Sequence, residues 1–131
     1  MDQGPLVTEH IEEGANLVNR VAAECFPVQA AFWLKDYDDG EWILYIASDT
    51  ITDGNKRPAY RAVNQILGPK PSMWLEDVRV TGTTKPFVQG ILEIQQKHPT
   101  ILPTRLRGIR LGDRSYQDSY IYAPVSVASP G

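Results

Sequence analysis

Cysteine is nearly absent: the 131 residues hold one, Cys25. That excludes an internal disulfide and any zinc site built on several thiolates. Histidine is almost as scarce, with His10 and His98 alone. No apolar run approaches the roughly 18 residues a membrane-spanning helix needs. Residues 1–5 lack the basic flank and apolar stretch of a secretion leader. A cytoplasmic, reduced setting with no membrane partner is the expectation. Short chemical signatures are missing too. There is no Gly-x-x-x-x-Gly-Lys, no paired-glycine dinucleotide fingerprint, no Gly-x-Ser-x-Gly and no His-Glu-x-x-His. Nothing in the chain calls for a cofactor or a resident metal.

Charge of one sign is also lacking. The formal net charge is -3, with 42% hydrophobic and 22% charged residues, as in ordinary globular chains. The average conceals an asymmetry. Residues 1–60 hold 11 acids and 4 bases, whereas residues 61–131 hold 5 acids and 9 bases. Two halves lying side by side and cancelling explain this better than a general polyanion surface, which a net-negative chain serves poorly. The length fits one domain over residues 1–131, frayed from about 126.

What is present is periodic. Ile11, Leu17, Val18, Val21 and Ala22 share one helical face over Thr8–Glu24, with Thr8 in the capping position. A second helix is expected over Lys56–Leu67, with Ala59, Val63, Ile66 and Leu67 as its stripe. A third spans 84–98, entered through Pro86 and stopped by Pro99. Residues 28–37 and 41–48 read as a hairpin around Asp38, Asp39 and Gly40, and a three-residue loop there pairs Trp33 with Tyr45. A short strand is expected within 74–80. A last hairpin joins 104–111 to 115–123 through Gly112, Asp113 and Arg114. The fold expected is α+β: a mostly antiparallel sheet of about five strands, from two hairpins plus one strand, with three helices packed on one face.

Three constellations are candidate sites. Helices on one face leave the other face open, so Trp33, Ile43 and Tyr45 are expected on an amphipathic surface. An exposed aromatic patch of that size marks an interaction surface. It makes self-association as a homodimer, or binding of another protein, the first functional reading, without catalytic machinery. The loop 48–57 leads into a helix N-terminus, where free amides favour anions. Thr50, Thr52, Lys56 and Arg57 would serve a phosphorylated or anionic ligand there, and the alternative reading is an enzyme using that loop with Asp49 and Asp53. Third, Arg105 and Arg107 stand across the last hairpin from Tyr122 and Tyr120, an interleaving that suits single-stranded nucleic acid.

Other groupings have ordinary explanations. Asp36, Asp38, Asp39 and Glu41 crowd a tight turn, where aspartates serve the backbone without a metal. Cys25 beside Phe26 reads as a small hydrophobe. His98 suits a helix C-terminus, and His10 has no evident partner.

Overall fold

The computed structural model describes residues 8–38, 40–68 and 77–123. The tail expected to fray from 126 and the start of the strand expected at 74 lie outside the described residues. Helix α1, Thr8–Glu24, and helix α2, Lys56–Leu67, have the bounds their apolar spacing predicts. Thr8 is itself helical rather than a cap ahead of α1. Helix α3, Pro86–Lys97, is shorter than the expected 84–98. Pro86 fits the first turn, where its missing N–H costs nothing, and Pro99 pushes the residue before it out of helical geometry. His98 accordingly has φ -134 and ψ 57.

The strands are β1 (Ala30–Lys35), β2 (Trp42–Ala47), β3 (Val78–Thr81), β4 (Thr104–Leu111) and β5 (Arg114–Ile121). They form one five-stranded sheet in the order β3-β2-β1-β5-β4. All pairs are antiparallel except β2 with β3. The fold is thus α+β with a mostly antiparallel sheet.

The helices divide between the two faces, which corrects the expectation of three on one side. Helices α1 and α2 cover Ala31, Trp33, Leu44, Ile46, Val78 and Val80. Helix α3 covers Ala30, Phe32, Leu34, Ala47 and Ile121 through Val88 and Ile91. The cause is topological. The parallel β2–β3 pair requires a crossover, which α2 supplies on one face. The chain must then travel from β3 at one edge to β4 at the other, and α3 makes that crossing over the opposite face. Each large side chain buried this way, such as Phe32 at 0% exposure, contributes roughly 1.5–3 kcal/mol.

The first hairpin is one residue out of the expected register: Trp33 faces Leu44 and Phe32 faces Tyr45. Both faces of β1 are buried, so the apolar alternation does not encode an inside and an outside. The loop sets the pairing instead. Gly40 N–H donates to the Asp36 carbonyl at 3.2 Å, and Asp38 N–H to the Asp36 carboxylate at 3.0 Å. One slip moves every β2 side chain to the other face. Trp33 and Tyr45 therefore stand on opposite sides of the sheet.

The last hairpin closes through the two residues Gly112 and Asp113, with Leu111 paired to Arg114. Gly112 has φ 64, as the first position of a glycine-first two-residue loop requires. Arg105 consequently faces Tyr120, and Arg107 faces Asp118, instead of Tyr122 and Tyr120. Gly108, at φ 65, turns the ribbon over. Before it, Arg105 lies over the Trp42 ring on the side of α1. Beyond it, Ile109, Leu111 and Tyr116 pack with α3. Among the described residues no helix is long and apolar enough to cross a membrane.

Candidate functional site

Helices α2 and α3 follow β2 and β3, two parallel neighbours, and leave to opposite faces. Such a divergence opens a crevice at the carboxyl ends of the strands. Here a cleft of about 410 Å³ lies on the α3 side and reaches past the β3 edge. Tyr45 and Arg79, a cross-strand pair, form its floor. The first residues of α2 and α3 bring Lys56, Tyr60, Lys85 and Phe87 to it, and the overturned hairpin tip brings Asp113, Arg114 and Tyr116.

The floor is braced by ring contacts. Tyr45 stacks on Phe32 at 5.5 Å between centroids, and the Phe87 ring meets Tyr45 edge-on at 5.0 Å. Burial pushes the Tyr45 phenol up, opposed by Arg79 alongside it. Burial raises the Tyr116 phenol as well. Both hydroxyls are therefore protonated donors at neutral pH. Tyr60 accepts the Val80 N–H at 3.0 Å, which leaves its own proton free to donate.

Four cations line the cleft against one carboxylate, Asp113. Lys56 and Lys85 share Asp53 at 3.5 and 3.8 Å. Arg114 pairs with Asp36 and lies over the Tyr116 ring. Arg79 has no ion-pair partner among the described residues. Donors greatly outnumber acceptors.

Of the anion candidates on the 48–57 loop, Lys56 alone lines this cleft. Arg57 is exposed next to it. Thr50 and Thr52 are exposed and belong to the loop's own bracing: the Ser48 and Thr50 hydroxyls bond at 2.8 Å, and Thr52 N–H donates to Asn55 at 2.6 Å. Asn55 returns a bond to the Thr50 carbonyl at 2.8 Å and makes no side-chain cap to α2. The loop is a strut. Its lysine is the part that faces the cleft.

The aromatic surface expected from Trp33, Ile43 and Tyr45 is not assembled. Trp33 is 3% exposed beneath α1. Its indole N–H donates to the Tyr122 hydroxyl at 2.9 Å, and that hydroxyl donates to the Ile11 carbonyl at 2.7 Å. Ile43 and Tyr45 are partly buried on the opposite face. The physical reason is twofold: the register slip parts Trp33 from Ile43 and Tyr45, and helices cover both faces, α1 over Trp33 and α3 over the side of Tyr45.

In the last hairpin, Arg105 and Arg107 do flank Tyr120 and Asp118. Arg105 is held by Asp118 through three hydrogen bonds of 2.7 to 3.2 Å. Arg107 reaches the same carboxylate at 3.9 Å and is 78% exposed. Tyr122 is buried, and Tyr120 packs edge-on against it at 5.2 Å.

Cys25 is raised by burial and by Glu24, the opposite of an activated thiolate. His10 lies near Trp33, with ring centroids 6.4 Å apart. Among the described residues no His, Cys, Asp and Glu cluster has the arrangement of a metal site. Asp36 and Asp38 are occupied by Arg114.

Sequence reasoning missed Arg79, Lys85, Arg114, Tyr60 and Tyr116. The alternation Val78-Arg79-Val80 turns Arg79 away from its apolar neighbours, and that was the one local signal. Among known proteins no family model, curated protein or solved structure matches the chain. The geometry alone carries the functional argument.

Proposed function

We propose that the protein binds a small anionic molecule, a phosphate ester or carboxylate with an apolar or aromatic portion, in the cleft floored by Tyr45 and Arg79. The observation that supports this is the convergence of Lys56, Arg79, Lys85 and Arg114 on one concave, ring-lined space. A donor-rich site selects a ligand rich in acceptors, because a hydrogen bond to a charged group contributes about 1.5–3 kcal/mol. Arg79 supplies the fork suited to two oxygens of one anionic group. Lys56 and Lys85 add charge without fixed direction, and the Tyr45 and Phe87 rings receive the apolar portion. The reading is a binding protein; no reaction is assigned to the cleft.

The test is a thermal-shift and calorimetric screen with inorganic phosphate, sugar phosphates, nucleotides and aromatic carboxylates. At a hundredfold excess over its dissociation constant, a ligand stabilises the folded state by about 2.7 kcal/mol. At least one member of the panel is expected to do so, and Arg79→Ala is expected to remove the effect while leaving the unliganded melt unchanged. No stabilisation by any member sinks the reading. So does full retention of binding in Arg79→Ala together with Lys56→Ala.

A further inference from the structure

The two edges of the sheet are unlike. Strand β3 is 4 residues long, and its Val80 N–H is already taken by the Tyr60 hydroxyl. Strand β4 is 8 residues long. The Leu106 carbonyl is turned inward, where the Ser119 hydroxyl donates to it at 2.8 Å. Backbone groups alternate in direction along an antiparallel strand, so those of Arg105 and Arg107 point away from the sheet. Among the described residues nothing bonds to them.

The side chains along this edge carry one sign. Strand β4 reads Thr-Arg-Leu-Arg-Gly-Ile-Arg-Leu, with Arg105, Arg107 and Arg110 and no acid. Asp118 lies against it and is shared by Arg105 and Arg107. Arg107 and Arg110 are exposed.

We propose that the β4 edge is a docking strand for an extended acidic segment of another protein, which adds to the sheet by backbone pairing and answers the arginines with carboxylates. Backbone bonds supply affinity in this mode, and side chains supply selection. A second copy of the chain fits poorly, because antiparallel β4–β4 pairing sets arginines against arginines, and like charges in facing positions destabilise. The chain's own remaining segments carry little acid: residues 1–7 hold Asp2 alone, residues 69–76 hold Glu76 beside Lys70, and residues 124–131 hold none. Single-stranded nucleic acid would need open rings beside the arginines. Tyr122 is buried with its hydroxyl engaged, and Tyr120 leans on it.

The experiment uses the full chain and a short labelled peptide alternating glutamate with valine. Binding is read by fluorescence anisotropy, and backbone pairing by amide exchange at Arg105 and Arg107. Saturable binding is expected at low salt, weakening as salt rises, with slowed exchange at those two amides. The peptide with lysine in place of glutamate is expected not to bind. Arg107→Glu with Arg110→Glu, at exposed positions where folding is checked by circular dichroism, is expected to weaken binding about tenfold or more. Several results overturn the proposal: no binding, binding that leaves the two amides unprotected, or tighter binding of a single-stranded oligonucleotide than of the peptide. It is also overturned if both amides are protected in the free protein and lose that protection when residues 124–131 are removed, since the chain's own tail is then the occupant.

Discussion

Tyr122 shows how one hydroxyl ties a helix to a sheet. It accepts from Trp33 and donates to the Ile11 carbonyl, so β1, the end of β5 and α1 meet at one oxygen. Gly14 makes the approach possible, because a Cβ there would collide with the Tyr122 hydroxyl. Tyr122→Phe strands the Trp33 N–H and should cost about 1–3 kcal/mol in urea denaturation; a loss within experimental error refutes the assignment. The same group sets an alkaline limit. Burial pushes the Tyr122 phenol up to about 12, while the unfolded chain ionises near 10. Between those values the unfolded state holds fewer protons, so stability falls as pH rises. The contribution is complete below about pH 10 and is lost by about 12. Melting temperature measured across that window should decline less steeply in Tyr122→Phe than in the natural chain.

At the scale of elements, the β4–β5 hairpin decides the shape of the cleft. Its twist is concentrated at Gly108, whose φ of 65 is left-handed. A Cβ in that conformation costs about 1–2 kcal/mol, although nothing lies within 4 Å to obstruct it. Gly108→Ala should therefore lower the unfolding free energy by that amount through the backbone alone, read as a lower urea midpoint at unchanged slope. It should also weaken ligand binding, since Arg114 and Tyr116 reach the cleft only because the ribbon turns over. An unchanged midpoint would show that the hairpin does not need this residue. The first hairpin teaches the complementary lesson. Its strands were evident in the residues, but its register was not, because both of its faces are apolar and the Asp36 turn sets the pairing.

Across the whole molecule, the acidic first half and the basic second half meet. Arg114 pairs with Asp36, and Lys85 with Asp53. These are exposed contacts, for which about 0–1 kcal/mol is typical. Their larger consequence is to gather cations from distant parts of the chain at one cleft. Arg114→Ala should accordingly cost less than about 1 kcal/mol of stability while reducing affinity for the anionic ligand about tenfold. Calorimetry on a protein of unchanged melting temperature separates the two effects. A large stability loss with unchanged affinity would show that Arg114 is a structural clamp between hairpin tips and no part of the site.

The residues by themselves determined the α+β class, the three helices and both hairpins, because those rest on spacing and turn chemistry within a few positions. Helices α1 and α2 were legible to their ends. The face each helix covers, the strand register and the cleft depended on contacts between residues far apart in the chain. Lys56, Arg79 and Arg114 become neighbours only after β3 joins β2 in parallel and Gly108 turns the last hairpin over. Local sequence carries periodicity; it does not carry which side of a sheet the next helix will cross.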